Sequence, residues 1–211
     1  MVGEGVLHQA LLNPDVEKVL VINRRPCGTK HPKLKEIIHG NFFDFTGIEN
    51  ELAGYNACFF CLGVSSVGME QDEYRHITYD LTISAAGTLA GLNEEMVFCY
   101  VSGAGTDSSE KGKLMWARVK GKTENDLMKL PFNNAYMFRP GVIKPIKGLK
   151  NTFKIYKIAY PLIPLFKFLF PSYVCTLEDL GNAMIASVLY GAGKNIIENR
   201  DIEELAKKLN D

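Results

Sequence analysis

The stretch "MVFCYVSGAGTDSSEKGKLMWARVK", Met96 to Lys120, decides the fold that this sequence predicts. It opens with an unbroken apolar run that ends at Ser102, continues through a loop rich in Gly and Ser, and closes in a helix-forming segment. An apolar run without alternation is typical of a strand buried on both faces of a parallel sheet. A strand, a loop and a helix in this order predict one unit of an α/β domain.

The same order of strand and helix recurs along the chain. The apolar runs "KVLVIN", "NACFFCLG" and "NAYMFRPGVI" alternate with helical stretches at residues 70–92 and 113–130. Towards the C-terminus, "LEDLGNAMIASVLYG" predicts a helix, "NIIEN" a short strand and "DIEELAKKL" a last helix. This alternation predicts a doubly wound α/β fold with a parallel sheet, a Rossmann fold, over residues 1–211 as one domain.

Composition limits the classes of function. The chain of 211 residues has Lys+Arg 24 and Asp+Glu 24, so no basic surface for nucleic acid or an anionic membrane is indicated. The five cysteines lie mostly in apolar runs with no secretory signal before them, which favours reduced thiols and a cytoplasmic location. The "CFFC" at Cys58 to Cys61 lies in a strand pattern that points residues three apart to opposite faces. This favours core packing, and we predict no metal site.

The first element that the sequence predicts is a helix, "VLHQALL", and a strand follows only after it. In a dinucleotide-binding fold, a central strand and a G-x-x-G-x-x-G turn come before this helix, and Gly3 would be the last glycine of that turn. We therefore expect that the first strand and the first two glycines are missing from this chain. Met1 would then be an internal methionine, with about ten further residues before it in the natural protein. The alternative is a different fold that begins with a helix.

The most apolar segment of the chain is "NTFKIYKIAYPLIPLFKFLFPSYV". Lysines interrupt it and Pro161 and Pro164 break it, so it does not predict a simple membrane span. We expect residues 150–175 to form an apolar helical cap over a pocket for a small apolar substrate. Peripheral membrane contact and a dimer surface are the alternatives, and the sequence does not distinguish a monomer from a homodimer.

Residues at the ends of the predicted strands are candidates for cofactor binding. Arg24 and Arg25 follow the strand at whose end an NAD-preferring site places a carboxylate, so their guanidinium groups favour the 2′-phosphate of NADP over NAD. The alternative is that both are solvated arginines of a loop. Asp44 and Phe45, in "FFDF" at a strand end, suit an adenine amino group and ring face, although a carboxylate there also often caps a helix. Gly63 follows a buried strand and allows a ligand to approach the backbone closely.

The candidate catalytic residues lie on the opening stretch. Ser102 ends its strand at the edge where α/β sheets bind ligands, which suits a residue that positions a substrate carbonyl. Lys120 could hydrogen-bond a nicotinamide ribose and lower the pKa of a nearby acid. Four residues before Lys120 stands Trp116, whose indole N–H cannot act as a general acid. Candidates for a substitute acid are Tyr79, Tyr100 or a water held by Ser102. Tyr74, Arg75 and His76 lie near the same helix start, and a structural role is the alternative for each of these side chains, with core packing favoured for Tyr100.

Together these segments resemble an atypical short-chain dehydrogenase/reductase with a compact NAD(P)-binding Rossmann domain. The group includes the Tat-interacting oxidoreductase and small bacterial proteins called NAD-dependent epimerases. The resemblance covers essentially the whole chain and is carried by "FFDF", "CLG" at Cys61 to Gly63, Ser102 with Lys120 in "RVKGKTEN", "FRPGV" at Phe138 to Val142, and "IIENRDI". It implies NADP(H) binding by Gly3, Arg24, Arg25, Asp44, Phe45, Leu62, Gly63, Lys120, Pro140, Gly141 and Val142. It also implies Ser102 and Lys120 as the remaining active pair, with Trp116 in place of the family's tyrosine.

We therefore expect an NADP-dependent oxidoreductase that acts on a small lipophilic carbonyl or quinone-like compound. Reduction of a quinone can take protons from water, so such a substrate would tolerate Trp116. The alternative is a non-catalytic NADP-binding regulator or assembly protein in which Trp116 packs the emptied site. A sugar-nucleotide epimerase comes third, because such enzymes also use the tyrosine and usually need a larger substrate domain.

Overall fold

The computed structural model describes residues 1–146 and 173–209. In these residues the helices are α1 (Val2–Leu12), α2 (Glu49–Leu52), α3 (Gln71–Arg75), α4 (Leu81–Leu92), α5 (Met115–Leu127), α6 (Leu177–Tyr190) and α7 (Asn199–Lys208). The strands are β1 (Val19–Asn23), β2 (Leu34–Ile38), β3 (Ala57–Phe60), β4 (Val97–Val101), β5 (Asn134–Arg139), β6 (Val142–Lys144), β7 (Val174–Thr176) and β8 (Ile196–Glu198). A 3₁₀ turn, Thr46–Ile48, precedes α2, and a π-helical turn, His76–Asp80, joins α3 to α4.

The strands pair in parallel and form three groups. Strands β3, β4, β5 and β8 make a four-stranded sheet in that order, while β1 pairs with β2 and β6 pairs with β7. Helices follow β2, β3, β4, β7 and β8, whereas β1 is followed directly by β2 and β5 by β6. The structure thus confirms the predicted α/β fold with a parallel sheet.

The two central strands are buried on both faces, as their unbroken apolar sequences predict. In β4, Val97 and Cys99 pack into a core cluster with residues of α1, α6 and α7. Phe98 and Tyr100, on the other face of the same strand, pack into a second cluster with residues of α4 and α5. Successive side chains of a strand point to opposite faces, so helices cover this sheet on both sides.

Strands β1 and β3 face each other across an open slot. A cavity of about 1110 Å³ lies between them and is lined by every residue of both strands and by residues of α1. Within the described residues, β1 and β3 belong to separate hydrogen-bonded sheets. The strand order of a doubly wound fold puts the first strand between these two positions. The slot therefore lies where the sequence predicts that a central strand is missing.

One predicted strand is two strands in the structure. The sequence predicts a single strand over "NAYMFRPGVI", whereas β5 ends at Arg139 and β6 begins at Val142. Pro140 has no backbone N–H to donate to a neighbouring strand. A Cβ on Gly141 would overlap the carbonyl oxygen of Tyr173. The chain therefore leaves the four-stranded sheet at this turn and pairs β6 with β7.

The predicted helical cap over residues 150–175 lies mostly outside the described residues, which resume at Tyr173. Its last two residues, Val174 and Cys175, belong to β7 and not to a helix. Among the helices that the structure describes, none is long and apolar enough to cross a membrane.

Candidate active site

Ser102 and Lys120 meet at the carboxyl end of β4. Ser102 is the first residue after that strand, and Lys120 lies in the middle of α5. The Nζ of Lys120 donates a hydrogen bond to the main-chain carbonyl oxygen of Ser102. Burial lowers the pKa of Lys120 to about 8, although the nearby Glu124 acts in the opposite direction. Lys120 is therefore a half-buried cation whose proton dissociates near pH 8.

The hydroxyl of Ser102 is engaged by a buried ion pair. Its Oγ donates to Oε1 of Glu124 at 2.5 Å and lies 3.1 Å from the carbonyl oxygen of Phe138. Glu124 is fully buried, and it also accepts from Nε of Arg139 at 3.1 Å and from Nη2 of the same residue. In this arrangement the Ser102 proton points at a carboxylate of the protein itself.

Arg139 extends this network to other elements. Its Nη1 donates to Oε1 of Glu198 at 3.1 Å, and its Nη2 donates to Oγ of Ser108 at 2.6 Å. The guanidinium thus links α5, β5, β8 and the loop after β4. Sequence reasoning missed both Glu124 and Arg139. The available signals were an arginine inside an apolar strand and a glutamate one helical turn after Lys120.

Trp116 lies one turn before Lys120 on α5 and is half-buried. A Cβ on Gly105 would lie 3.4 Å from Cη2 of Trp116, so the indole ring packs against this glycine, whose φ is +86°. A Cβ on Gly121 would overlap the main-chain carbonyl group of Asp107. Glycine at position 121, which sequence reasoning also missed, allows α5 to lie directly against the loop that follows Ser102.

Tyr79 is not brought to Ser102 and Lys120. Its hydroxyl donates to Oδ2 of Asp126 at 2.7 Å. Asp126 lies two residues after Glu124, and residues two apart on an α-helix are separated by about 200°. Burial, together with the hydrogen bond to Asp126, raises the pKa of Tyr79. Tyr79 therefore packs on the side of α5 opposite to the Ser102–Glu124 hydrogen bond.

Arg24 and Arg25 lie immediately after β1 and are exposed. Neither makes a hydrogen bond or ion pair with another residue in the described part of the chain. Glu36 binds the residues on either side of them. Its Oε1 accepts from Nδ2 of Asn23 and from the amide of Cys27, each at 2.8 Å. Burial opposes ionisation of Glu36, but these hydrogen bonds outweigh it and lower its pKa.

The first turn of α1 lies against the carboxyl end of β3. A Cβ on Gly3 would be 3.4 Å from the Cβ of Cys61. Four of the predicted cofactor residues line the cavity between β1 and β3, namely Gly3, Arg25, Phe45 and Leu62. Gly63 directly follows Leu62, and a Cβ there would meet no atom within 4 Å.

Asp44 and Phe45 do not stand at a strand end as predicted, because β2 ends at Ile38. Oδ1 of Asp44 accepts from the amide of Thr46 at 3.0 Å and from its hydroxyl at 2.7 Å, and these bonds lower the pKa of Asp44. Phe45 is buried, and its ring stacks on His39 with centroids 5.4 Å apart. Asp44 binds Thr46 at the start of the 3₁₀ turn, while Phe45 packs in the core.

The turn at Pro140, Gly141 and Val142 lies beside the loop that follows Ser102. The carbonyl oxygen of Pro140 accepts from the amide of Ala104 at 2.9 Å. The amide of Gly141 donates to Oδ1 of Asn199 at 3.0 Å. This turn therefore shares the carboxyl edge of the sheet with Ser102.

Cys58 and Cys61 line the slot as free thiols. Burial raises the pKa of Cys61 to about 12, and it raises that of Cys58 as well. Both side chains are therefore protonated at neutral pH. No group of His, Cys, Asp and Glu that could hold a metal is found within residues 1–146 and 173–209.

Comparison with known proteins finds a relative by sequence and several solved structures with a similar fold. No protein-family model matches the chain. Protein FMP52-1, mitochondrial, of Scheffersomyces stipitis is 26% identical over 166 residues, which cover 76% of this chain and 72% of that protein. The UDP-N-acetylglucosamine 4-epimerase of Methanobrevibacter ruminantium superposes with a TM-score of 0.66 at 15% identity, over 100% of this chain and 79% of that one. The ADP-L-glycero-D-manno-heptose-6-epimerase of Helicobacter pylori gives 0.67 at 13% identity, with coverage of 100% and 79%. DesIV, a dTDP-glucose 4,6-dehydratase of Streptomyces venezuelae solved with NAD bound, gives 0.63 at 16% identity, with coverage of 99% and 76%.

These similarities establish the fold. The chain has the Rossmann fold, as these two epimerases and the dehydratase do. The predicted resemblance to an atypical short-chain dehydrogenase is thus confirmed for the architecture, at identities that leave the activity open. The name of the relative FMP52-1 places that protein in mitochondria, and the cytoplasmic location of this chain stays a prediction.

Proposed function

We propose that this chain binds NADP(H) in preference to NAD(H) and is an oxidoreductase for a small lipophilic carbonyl or quinone-like compound. The observation that carries the proposal is the grouping of Arg24 and Arg25, the first turn of α1 and the Ser102–Lys120 pair around the carboxyl ends of the parallel strands. Ligands of open α/β sheets bind at this edge. The solved relatives include proteins crystallised with NAD, which supports a pyridine nucleotide as the ligand class.

The described residues fit the adenosine half of NADP(H). Arg24 and Arg25 are exposed cations without a partner in the described chain, and a guanidinium group pairs readily with a phosphate. The N-terminus of α1, where Met1 makes no side-chain cap, would hold the pyrophosphate. Asp44 keeps its Oδ2 for an adenine amino group, whereas Phe45 would support the site by packing.

When bound, NADP(H) supplies or accepts the hydride. The residues of the chain then set the proton chemistry. Lys120 holds a proton with a pKa of about 8, which suits both a hydrogen bond to a ribose hydroxyl and proton release near neutral pH. Trp116 offers a flat ring face and no dissociable proton. Because the Ser102 proton is engaged by Glu124, a quinone-like acceptor that draws protons from water suits this site better than a simple ketone.

The nucleotide preference is tested by equilibrium titration of NADPH and NADH, followed by the fluorescence of Trp116, the single tryptophan of the chain. We expect the double variant Arg24→Ala/Arg25→Ala to weaken NADPH binding at least about tenfold, because a hydrogen bond to a charged group contributes about 1.5–3 kcal/mol. NADH binding should hardly change. Arg200→Ala, which removes an exposed arginine of α7, is the matched control. Equal loss for both nucleotides would contradict a 2′-phosphate contact, and binding of neither would overturn the proposal.

The chemistry is tested by following NADPH oxidation with a panel of quinones and small carbonyl compounds. We expect turnover with quinones, and we expect Lys120→Met to abolish it without abolishing nucleotide binding. In Trp116→Tyr, a gain in carbonyl reduction would show that the scaffold still positions an acid at this point of α5. Absence of turnover with every acceptor would count against an oxidoreductase.

A non-catalytic NADP-binding regulator or assembly protein is the second candidate. The hydrogen bond from Ser102 to the buried Glu124 favours it, because a serine that polarises a substrate must offer its own proton. This alternative is supported if NADPH binds with the expected preference and is not consumed by any acceptor.

A further inference from the structure

Asn199, the first residue of α7, carries a buried hydrogen-bond donor that the described residues leave without an acceptor. The residue is 4% exposed, and its Nδ2 has no hydrogen-bond partner within residues 1–146 and 173–209. Oδ1 of the same amide accepts from the main-chain N–H of Gly141 at 3.0 Å. That bond fixes which end of the side-chain amide is the oxygen, because the Gly141 N–H needs an acceptor. Nδ2 is therefore the end that is left over.

A buried donor of this kind points to a ligand. Leaving it without an acceptor is unfavourable, and native structures pair nearly all such groups. Nδ2 of Asn199 is also shielded from solvent, so bulk water does not replace the missing acceptor. The amide carries no charge and offers N–H groups. Its natural partner is an uncharged oxygen, such as the carbonyl oxygen of an apolar molecule.

Asn199 lies at the carboxyl edge of the sheet, at the end farthest from β1. Arg139 of β5 pairs with Glu198 of β8, the residue before Asn199. Asn199 therefore stands at the same edge as Ser102, two strands away in the order β4, β5, β8. The exposed arginines after β1 lie beyond β3, at the opposite end of this edge. A nucleotide that runs from those arginines to the Ser102–Lys120 pair ends before Asn199, so this donor is left for the substrate.

The spacing of the two donors fits a ring with two opposite carbonyl groups. Strands lie about 4.8 Å apart, so the ends of β4 and β8 are about 10 Å apart. The opposite oxygens of a quinone ring are about 5 Å apart, and a hydrogen bond to each adds about 2.9 Å, so the donors that hold both stand about 11 Å apart. Nζ of Lys120 binds the main chain of Ser102 at the end of β4, and Asn199 follows β8. This agreement favours a para-quinone over a compound with one carbonyl group.

We propose that Nδ2 of Asn199 binds the second carbonyl oxygen of a para-quinone whose first carbonyl group lies at the Ser102–Lys120 pair. The inference rests on the proposed function and narrows the substrate to compounds with two opposite hydrogen-bond acceptors. Oδ1 of Asn199 holds the turn at Gly141, while Nδ2 recognises the far end of the ring. A monoketone leaves this donor unpaired, as it is in the free protein, and gains nothing from it.

The test compares two ligands and two donor-free variants. Duroquinone has two opposite carbonyl groups, and its methyl groups block addition of the free thiols; isophorone is a methylated six-membered ring with one carbonyl group. Isothermal titration calorimetry measures the binding of each, without nucleotide and with NADP⁺, which cannot reduce them. Asn199→Asp keeps an oxygen for the Gly141 N–H and replaces the donor by a second acceptor. We expect it to weaken duroquinone binding at least about tenfold and to leave isophorone binding nearly unchanged.

Two further variants complete the comparison. Asn199→Ala removes both polar groups of the side chain and should show the same loss of preference for duroquinone, so the test does not depend on the folding of one variant. Asn13→Asp is the matched control, because Oδ1 of Asn13 accepts from the amide of Asp15 at an exposed site. It should change the binding of neither ligand. Thermal unfolding shows that each variant is folded.

Each outcome of this test decides the inference. Equal weakening for duroquinone and isophorone means that Asn199 only shapes the site, which overturns the contact. Unchanged duroquinone binding in both variants assigns Nδ2 to the chain itself, and absence of duroquinone binding to the wild type removes the ligand; either result overturns the contact. Loss of the preference in a chain that does not bind NADPH would support the contact while the proposed function fails. NADPH oxidation with an unchanged KM for duroquinone in Asn199→Asp would overturn the contact and leave the proposed function standing.

Discussion

The sheet is complete on one side of β3 and open on the other. Strand β4 has a partner on each edge, and its first four residues, 97–100, are buried. Strand β1 has a sequence of comparable apolar character, "VLVIN" against "VFCYV", yet all five of its residues are only half-buried. The difference shows that strand neighbours determine how much of an apolar strand is buried, since its own sequence fixes only the tendency to be a strand.

The charged side chains also differ between the complete part and the open part of the sheet. Glu124 and Arg139 lie beside the complete part of the sheet, where each charge has several partners. At the open part, Arg24 and Arg25 face solvent. A charge loses much of its hydration when it is buried, so it is tolerated where the surrounding elements supply hydrogen bonds. The complete region therefore carries the larger energetic consequences of mutation.

The largest expected effect comes from removing the carboxylate of that buried pair. Glu124→Ala leaves the Arg139 guanidinium with its main partner missing, and breaking a buried ion pair in this way costs about 3–5 kcal/mol. The matched control is Glu204→Ala, which breaks the exposed pair of Arg200 and Glu204 and should cost about 0.5 kcal/mol or less. Denaturant unfolding measures both. Equal small losses would show that Glu124 is hydrated and not part of a closed core.

A pair of valine truncations compares the two regions directly. Val97 in β4 is 7% exposed, and Val97→Ala should cost about 1.5–3 kcal/mol, the value of burying a valine side chain. Val21 in β1 lines the slot, and Val21→Ala should cost about 1 kcal/mol or less. The unfolding free energy of each variant provides the measurement. A loss for Val21→Ala as large as that for Val97→Ala would show that β1 is packed as closely as β4.

A smaller effect is expected where α5 crosses the loop after β4. A Cβ on Gly121 would overlap the carbonyl group of Asp107, so Gly121→Ala should destabilise the fold by about 1–3 kcal/mol. Gly87→Ala in α4 meets no atom within 4 Å and should stabilise the helix by up to about 1 kcal/mol. Thermal unfolding of the two variants should shift in opposite directions. A shift in the same direction would mean that α5 does not approach this loop closely.

Much of the fold could be predicted because the deciding patterns are local. The unbroken apolar runs of β4 and β5 and the helical stretches between them can be read within a few residues of each other. The division of β5 from β6 depends on the approach of Gly141 to Tyr173, which lies more than thirty residues away. No local pattern contains that information.

In the candidate site, too, only the contacts between neighbouring elements could be predicted from the sequence. The proximity of Ser102 and Lys120 follows from a strand end and the helix after it, so sequence reasoning placed them together. The pairing of Glu124 with Arg139 joins two elements that sequence alone does not align. The side of α5 that receives Tyr79 is likewise set by the packing of the π-helical turn against that helix.

The last expected effect is a pH-dependent one, and it tests whether the complete side of the sheet really buries Lys120. Burial lowers the pKa of Lys120 from its ordinary value of 10.5 to about 8, so the ammonium loses its proton between these values in the folded state only. The unfolded chain then binds more protons than the folded one, and the unfolding free energy should rise as pH increases from about 8 to about 10.5. Trp116 lies one turn away on α5, so its fluorescence should titrate with a midpoint near pH 8.

Lys120→Met should remove both the fluorescence transition and the rise in stability, while Lys207→Met, at an exposed position of α7, should leave them unchanged. The sign follows from the cost of burying the charge. The fold disfavours the ammonium form, so its full penalty is present below about pH 8 and is relieved as the proton leaves. A wild-type midpoint near 10.5 would mean that Lys120 is fully solvated. The Ser102–Lys120 pair would then lie at an open surface, and Lys120 would keep its proton at neutral pH.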